Sequence, residues 1–353
     1  VFFLFVFGIF PFMRERDKTK GYIESFQPGL ERIIDLVFLS TALIAPIALV
    51  ACLSFIAMAS PWWAGAMLLV AIAACVGIYA RFVAAWRLEI RRLKIEDLLT
   101  DLDLGEAKPN ARPFRVVFFS DMHLGQFKRA AWAKKVVDTV NAQEPDLVLI
   151  GGDFVGHTDC CNLPELFEPL RELRVSCGIF ATLGNHDHGL PGDDFSEELR
   201  ALLPTFGVRV LANECARVDE FVNVIGIEEL WTKRDDFRAA LQDCEKQNGI
   251  TLVLGHNPDL MLKLTPEDVT HPKHTLFLFG HTHHGQIHLP FAPSVAIPTD
   301  SDFYRGVYRL KQGTIYVSSG TGETTTPTRL NAPPEIVVID ISIDSEKAFS
   351  IPA

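Results

Sequence analysis

The sequence predicts an α/β domain preceded by a two-helix transmembrane hairpin. Three observations carry that expectation. Leu36 to Ala80 is a run of 45 residues without a charged side chain. Beyond residue 113, short runs rich in Val, Ile and Phe end abruptly in polar, Gly-containing clusters, and helical-looking segments separate several of them. Finally, 48% of the 353 residues are hydrophobic, enough apolar surface to offset chain entropy and to exclude a disordered chain.

The uncharged run is more than twice what one helix needs to cross a bilayer. Ser60-Pro61-Trp62-Trp63 near its middle can break a helix and set two indoles at a membrane interface. That predicts helices over 36–59 and 62–80 with a tight turn between them, the first kinked at Pro46. Arg14, Arg16, Lys18, Lys20 and Arg32 precede the hairpin, Arg81, Arg87, Arg91, Arg92 and Lys94 follow it, and the turn carries no basic residue. By the positive-inside rule both flanks face the cytoplasm, so the expected placement is multi-pass in the inner membrane with the following domain cytoplasmic.

Arg81 to Ile95 alternates basic residues with Phe82, Trp86, Leu88, Ile90 and Leu93, and reads either as a helix lying on anionic headgroups, with the bilayer as partner, or as an ordinary solvated linker helix. The expected divisions are 1–35, a basic segment with a short apolar start; 36–80, the hairpin; 81–112, interfacial helix and linker; and 113–345, the catalytic domain. The first 12 residues, VFFLFVFGIFPF, are too short to span alone. They read as a signal-like stretch, the remnant of a longer helix, or a leader ahead of Met13.

Charge and cysteine content narrow the function classes. The chain holds 33 Lys plus Arg against 44 Asp plus Glu, a net charge of −11. The first 112 residues carry 12 basic and 11 acidic side chains, so the C-terminal part carries the whole excess, a net of −12. Phosphate-backbone affinity rests on clustered Lys and Arg, and no nucleic acid partner is expected. Seven cysteines, two of them (Cys52 and Cys75) inside the apolar run, and the lack of any CxxC pair argue against a disulfide framework or zinc ribbon and suit a reducing compartment.

Eight apolar runs read as strands: Arg115 to Ser120, Leu147 to Ile150, Gly178 to Leu183, Phe221 to Ile227, Thr251 to Leu254, Thr275 to Phe279, Thr314 to Ser318 and Glu335 to Ile341. Continuous apolar strands imply sheets covered on both faces, with the chemistry at strand ends. Five of the runs lead into candidate ligands: Ser120-Asp121-Met122-His123, Gly151-Gly152-Asp153, Gly184-Asn185-His186-Asp187, Gly255-His256-Asn257-Pro258 and Gly280-His281-Thr282-His283. This oxygen and nitrogen donor set, free of thiolate, suits two divalent ions of Mn, Fe or Zn. A Gly in or near each cluster lets the backbone turn where a β-carbon would clash.

DMH, GGD, GNHD, GHNP and GHTH in this order resemble the calcineurin-like metallophosphoesterase family over roughly residues 114 to 341. GHTHHGQIHLP and PPEIVVID are most similar to its bacterial membrane-associated phosphodiesterase subgroup, and more distantly to the enzymes that cleave UDP-2,3-diacylglucosamine. The resemblance implies a four-layer α/β/β/α sandwich. It implies that Asp121, His123 and His283 hold one metal, that Asn185, His256 and His281 hold the second, and that Asp153 bridges them. It further implies a catalytic pair in which Asp187 orients the imidazole of His186. Two divalent ions so held activate water and clamp phosphoryl oxygens, and an imidazolium at His186 would stabilise or protonate the departing oxygen.

Substrate contacts are expected from less patterned positions. His284 stands where the subgroup usually has Gly, and reads either as a phosphate contact or as a solvent-facing loop residue. Arg329 reads either as a bidentate phosphate clamp or as a surface salt bridge. His157 adds an imidazole near Asp153 outside the ligand set. Loop 188–196, Trp231, Tyr304, Arg305 and Gly320 to Pro334 are the expected specificity segments. The function expected from these readings is a membrane-anchored dimetal phosphoesterase acting on a phosphodiester or pyrophosphate, with UDP-2,3-diacylglucosamine as the named substrate. The alternatives are a general phosphodiesterase on soluble or phospholipid substrates and a non-catalytic, metal-stabilised membrane binding module. A purely structural metal site needs no proton donor, so the His186-Asp187 pair argues against the last.

Overall fold

The computed structural model describes residues 61–100, 112–156 except 126, 162–242 except 220, 244, 249–288 and 297–342 except 325. The expected first membrane helix and His157 lie outside them. Helix α1 (Pro61–Phe82) corresponds to the second expected helix and starts on the proline, whose fixed φ suits a first helical position. It is the one helix among the described residues long and apolar enough to cross a membrane, and Leu68, Leu69, Val70, Ile72, Val76, Tyr79 and Phe82 on it are exposed.

All eight expected strands form, and four more join them. The strands are β1 (Glu89–Lys94), β2 (Phe114–Phe119), β3 (Leu147–Gly151), β4 (Ile179–Thr182), β5 (Val208–Val210), β6 (Glu214–Arg217), β7 (Val222–Gly226), β8 (Ile250–Leu254), β9 (Thr275–Phe279), β10 (Gly306–Leu310), β11 (Gly313–Val317) and β12 (Glu335–Ile341). They make two six-stranded sheets, ordered β1-β12-β2-β3-β4-β5 and β10-β11-β9-β8-β7-β6. Strands β2 to β5 run parallel in the first, as do β11, β9, β8 and β7 in the second.

Alternation along each strand builds three cores. Val116, Phe118, Leu147 and Leu149 face Val224, Leu252, Leu276 and Leu278 between the sheets. Val117, Phe119, Val148 and Ile150 point the other way, against Trp132, Val136, Val137 and Val140 of α3 (Ala130–Asn141). On the far face of the second sheet, Val253, Phe277, Phe279 and Val317 pack against Phe237 and Ala240 of α6 (Phe237–Gln242). The short helices α4 (Leu163–Phe167) and α5 (Ser196–Leu202) complete the first outer layer. The central strands are buried on both faces, which is why they read as continuous apolar runs.

The segment expected to be an interfacial helix has another form. A single 3-10 turn, Ala84–Trp86, follows α1, and β1 then pairs in parallel with β12 from Glu89↔Glu335 to Lys94↔Asp340. The physical reason is the period of two: Leu88 packs on the outer core and Leu93 on the inner one, while charged residues cover the open edge of the sheet. Ile95 and Leu98 in α2 (Ile95–Leu98) are then buried between the sheets, so the domain begins well before residue 113. The cysteine reading also needs a correction, because Cys215 on β6 and Cys244 beyond α6 form a disulfide, their Cα atoms 5.4 Å apart.

Truncating a side chain in this segment separates domain from linker. Ile95→Ala, at a site 0% exposed, is expected to cost about 2–5 kcal/mol in denaturant unfolding. Ile90→Ala, at a site 43% exposed, is expected to stay within about 0.5 kcal/mol.

Candidate metal centre

The parallel strands β2, β3 and β4 of one sheet and β8 and β9 of the other end at a common edge, and the five motif clusters follow them directly. Bonds across that edge set the positions. Asp121 N–H donates to Gly152 O (2.9 Å) and His123 N–H to Asp153 O (3.0 Å). Between the sheets, His281 N–H donates to Asp121 Oδ1 (3.0 Å) and the Nδ1 of His256 lies 2.8 Å from Gly151 O. A β-carbon at Gly184 would collide with the Asp153 carboxylate, and one at Gly280 with Asp121 and Ser120. Asp121, His123, Asp153, His281 and His283 all have φ between 43° and 69°, a conformation rare for residues with a β-carbon and concentrated at functional sites.

Two buried groups result, joined through one carboxylate. Asp121, His123, Asp153 and His283 form the first, and Asp153, His256 and His281 the second. The Nε2 atoms of His123 and His283 are 3.0 Å apart, and His283 Nε2 is 3.3 Å from Asp121 Oδ1. Asp153 Oδ2 lies 3.3 Å from His123 Nε2 and 3.2 Å from His256 Nε2, facing both groups. Asn185 Oδ1 completes the second, 3.0 Å from His256 Nε2 and 2.8 Å from His281 Nδ1. The structure thus brings together all seven ligands inferred from the motifs.

The donor chemistry fits a cation. His256 Nδ1 faces Gly151 O, and His281 Nε2 faces Pro298 O (2.8 Å). A neutral imidazole that donates outward to a carbonyl turns its lone pair inward. The Asn185 amide is oriented the same way, since its Nδ2 donates to Leu190 O and leaves Oδ1 inward. Asn185 Oδ1 and His281 Nδ1 are then two acceptors 2.8 Å apart, each within 3.2 Å of His256 Nε2, which itself lies 3.2 Å from Asp153 Oδ2. Two facing acceptors cannot satisfy each other, whereas a divalent ion held by these four atoms would.

The electrostatics of the protein groups agree. Burial lowers His281 to about 3, aided by the charge of His256, and burial with His123 and Arg329 holds His283 well below its ordinary value. Burial raises Asp121, and the neighbouring Asp153 adds to the rise. Burial opposes ionisation of Asp153 too, but His256 and His186 outweigh it and hold that carboxyl well below the usual range. His256 is pushed up to about 10, because Asp153 and Asp121 overcome its burial. A proton on His256 is the positive charge the carboxylates call for, and a divalent cation replaces it.

The remaining expected residues divide. His186 is half-buried at the rim, its ring edge-on to His123 at 4.7 Å and its Nε2 3.5 Å from Thr324 Oγ1. Its backbone N–H donates to Asp153 Oδ1 (2.9 Å). Asp187 follows it, and its oxygens accept from Val155 N–H (3.1 Å) and Gly184 N–H (2.9 Å), so it braces the backbone on both sides of the site. Burial and the nearby Asp153 push it up to about 7.

His284 is buried in a stack with His288 and Tyr304, and Arg305 Nη1 lies 3.1 Å from its Nδ1. Burial and Arg305 lower it to about 4, so at neutral pH it offers no charge to a phosphate, and it is not a solvent-facing residue either. Arg329 is 0% exposed and donates to Ser319 O (2.7 Å), Ala332 O (3.1 Å) and Gly322 O. It is neither a clamp open to substrate nor a surface ion pair; it holds the Gly320 to Pro334 loop, with Nη2 3.2 Å from His283 Nδ1.

Two features were not anticipated. Glu229, buried beyond β7, accepts from the N–H groups of Trp231 (2.6 Å) and Thr232 (3.0 Å), and sets Trp231 edge-on to His281 at 4.6 Å. Lys128 is buried beside the Gly320 to Pro334 loop. Both follow strand ends, but neither belongs to a Gly-punctuated cluster. A consequence of the His256 environment is measurable: calorimetry of Mn²⁺ binding near pH 7.5, in buffers of differing ionisation enthalpy, is expected to register proton release and an affinity that rises with pH. Binding without proton release would contradict it.

The profile of the calcineurin-like phosphoesterase family matches residues 114–285. The chain is 31% identical over 234 residues to the metallophosphoesterase YkuE of Bacillus subtilis, an alignment covering 65% of this chain and 79% of that one. It is 28% identical over 238 residues to the phosphodiesterase YaeI of Escherichia coli, covering 66% and 84%. A transmembrane protein with a metallophosphoesterase domain from Danio rerio is 29% identical over 238 residues, 64% of this chain and 52% of that one. With two groups of metal-competent side chains at its strand ends, the chain belongs to the calcineurin-like phosphoesterase family and is a metal-dependent phosphoester hydrolase.

Proposed function

We propose that this chain is a membrane-anchored two-metal phosphoesterase that cleaves a phosphodiester or pyrophosphate bond in a lipid-linked substrate, with UDP-2,3-diacylglucosamine as the named case. The observation that carries the two-metal part is Asp153 Oδ2, which lies 3.3 Å and 3.2 Å from one imidazole of each group. Asp121, His123 and His283 would hold one ion and Asn185, His256 and His281 the other, with Asp153 shared between them. Bound there, two ions of Mn, Fe or Zn would activate the attacking water and neutralise charge on the phosphoryl oxygens. His186, at the rim beside His123, would protonate the departing oxygen. Asp187 and Asp153 fix the backbone that presents it.

The apolar, exposed surface of α1 and the basic residues on both sides of Leu36 to Ala80 support membrane attachment with the catalytic domain on the cytoplasmic side. Attachment raises the local concentration of a lipid-linked substrate and orients the site toward the headgroups. Cleavage of UDP-2,3-diacylglucosamine would release UMP and leave a lipid monophosphate. The disulfide Cys215–Cys244 favours the opposite, oxidising side, and a reporter fused to the C-terminus decides between them. A cytoplasmic signal is expected; an extracytoplasmic one would overturn the orientation. A second reading, a general phosphodiesterase on soluble or phospholipid substrates, is supported by the Escherichia coli relative, a phosphodiesterase.

The test is Mn-dependent UMP release in mixed micelles by the full chain. His186→Ala is expected to keep its metals and lose about 10²–10⁴-fold in turnover. Asp153→Asn is expected to lose metal and turnover together. Equal metal loss in both variants would contradict the division of roles, and no UMP from a metal-loaded chain would remove the named substrate.

A further inference from the structure

The end of the apolar helix is bonded to the same loop that supports the first metal group. Arg329 N–H donates to Ala80 O (3.1 Å), and Arg81 Nη1 donates to Pro327 O (3.2 Å). Four residues further on, Ala85 O accepts from Lys128 Nζ (2.9 Å). The other two donors of that ammonium go to Thr321 O (2.9 Å) and Glu323 Oε1 (2.8 Å). Lys128 therefore spends one bond on the helix terminus and two on the loop, and its charge sits 3.4 Å from the centroid of the Trp132 ring.

The loop in turn fixes two ligands of the first group. Thr321 N–H donates to Ser120 O (2.9 Å), and Gly320 packs so closely on Asp121 that a β-carbon there would overlap it. Glu323 Oε1 is 3.7 Å from Arg329 Nε, and Arg329 reaches His283 at both O (3.3 Å) and Nδ1 (3.2 Å). The side chains of His256, His281 and Asn185 draw their supports from Gly151, Pro298 and Leu190, outside this loop, and the backbone N–H of His281 donates to Asp121.

Burying a Lys, a Glu and an Arg together costs desolvation that well-packed apolar side chains would avoid, so such a triad is weak evidence for stability and better explained by the geometry it imposes. We infer that the terminus of the apolar helix, Ala80 to Trp86, is built into the metal centre through Lys128 and Arg329, and that Lys128 is a positioning residue for the ion held by Asp121, His123 and His283. The helix is then not a detachable tether: a displacement of its end acts directly on His283 and Asp121, whereas the side-chain supports of His256, His281 and Asn185 lie outside its path. This rests on the two-metal reading above.

The test is Mn²⁺ binding to the metal-depleted full chain in detergent micelles, with unfolding temperature measured alongside. The unaltered chain is expected to bind two ions. Lys128→Met is expected to weaken one of the two sites about 10–100-fold and leave the other unchanged, the range for losing an outer-shell partner of a metal ligand. Lys128→Arg, which keeps the cation, is expected to recover most of that loss. Equal weakening of both sites, or of neither, would overturn the inference. Arg81→Gln, at a half-buried position, guards against a Lys128→Met chain that fails to fold: it is expected to weaken the same single site several-fold at an unchanged unfolding temperature, and no change would count against the inference. Absence of paired Mn²⁺ binding by the unaltered chain would overturn the two-metal reading itself, whereas intact pairs in every variant would overturn only the role of Lys128.

Discussion

A single carboxylate at the junction of two sheets is the constraint around which the domain is arranged. Asp153 faces His123 from the first sheet and His256 from the second, and its other oxygen ties down the backbone of His186. Keeping strand ends from two sheets this close forces five ligands into left-handed backbone conformations. At about 1–3 kcal/mol each, that strain is comparable to the net stability of an ordinary domain. It persists because the surroundings over-determine it: strands buried on both faces, bonds from one sheet to the other, and glycines where a β-carbon would meet a carboxylate.

What the sequence made legible follows from the same physics. The eight anticipated strands are the central ones, whose two buried faces leave a continuous apolar signature. The four not anticipated, β1, β5, β6 and β10, are the four sheet edges. Edge strands are short or polar on one side, so an apolar-run criterion passes over them, and β1 with its Arg and Lys residues resembled a membrane-surface helix. The candidate metal-binding side chains were legible because each follows a central strand. Supporting residues were not, because a buried Lys128 or Arg329 looks in sequence like any surface cation, and only the fold reveals that its partners are backbone carbonyls and the buried Glu323.

The helix and the catalytic domain share more structure than a tether requires. α1 passes through one turn into β1, an integral strand of the first sheet, so no flexible spacer separates the apolar segment from the site. Such a connection limits how the site can tilt relative to whatever surface the helix occupies, which suits a substrate presented in a fixed plane. The basic flanks and the disulfide pull in opposite directions on the question of side, the first through the electrostatics of insertion, the second through redox chemistry.

The most direct measurement of the central claim is electron paramagnetic resonance of the full chain titrated with Mn²⁺. Two ions sharing the Asp153 carboxylate are predicted to give the broadened spectrum of a spin-coupled pair as the second equivalent binds. The six-line spectrum of isolated ions at every loading would contradict a bridged centre.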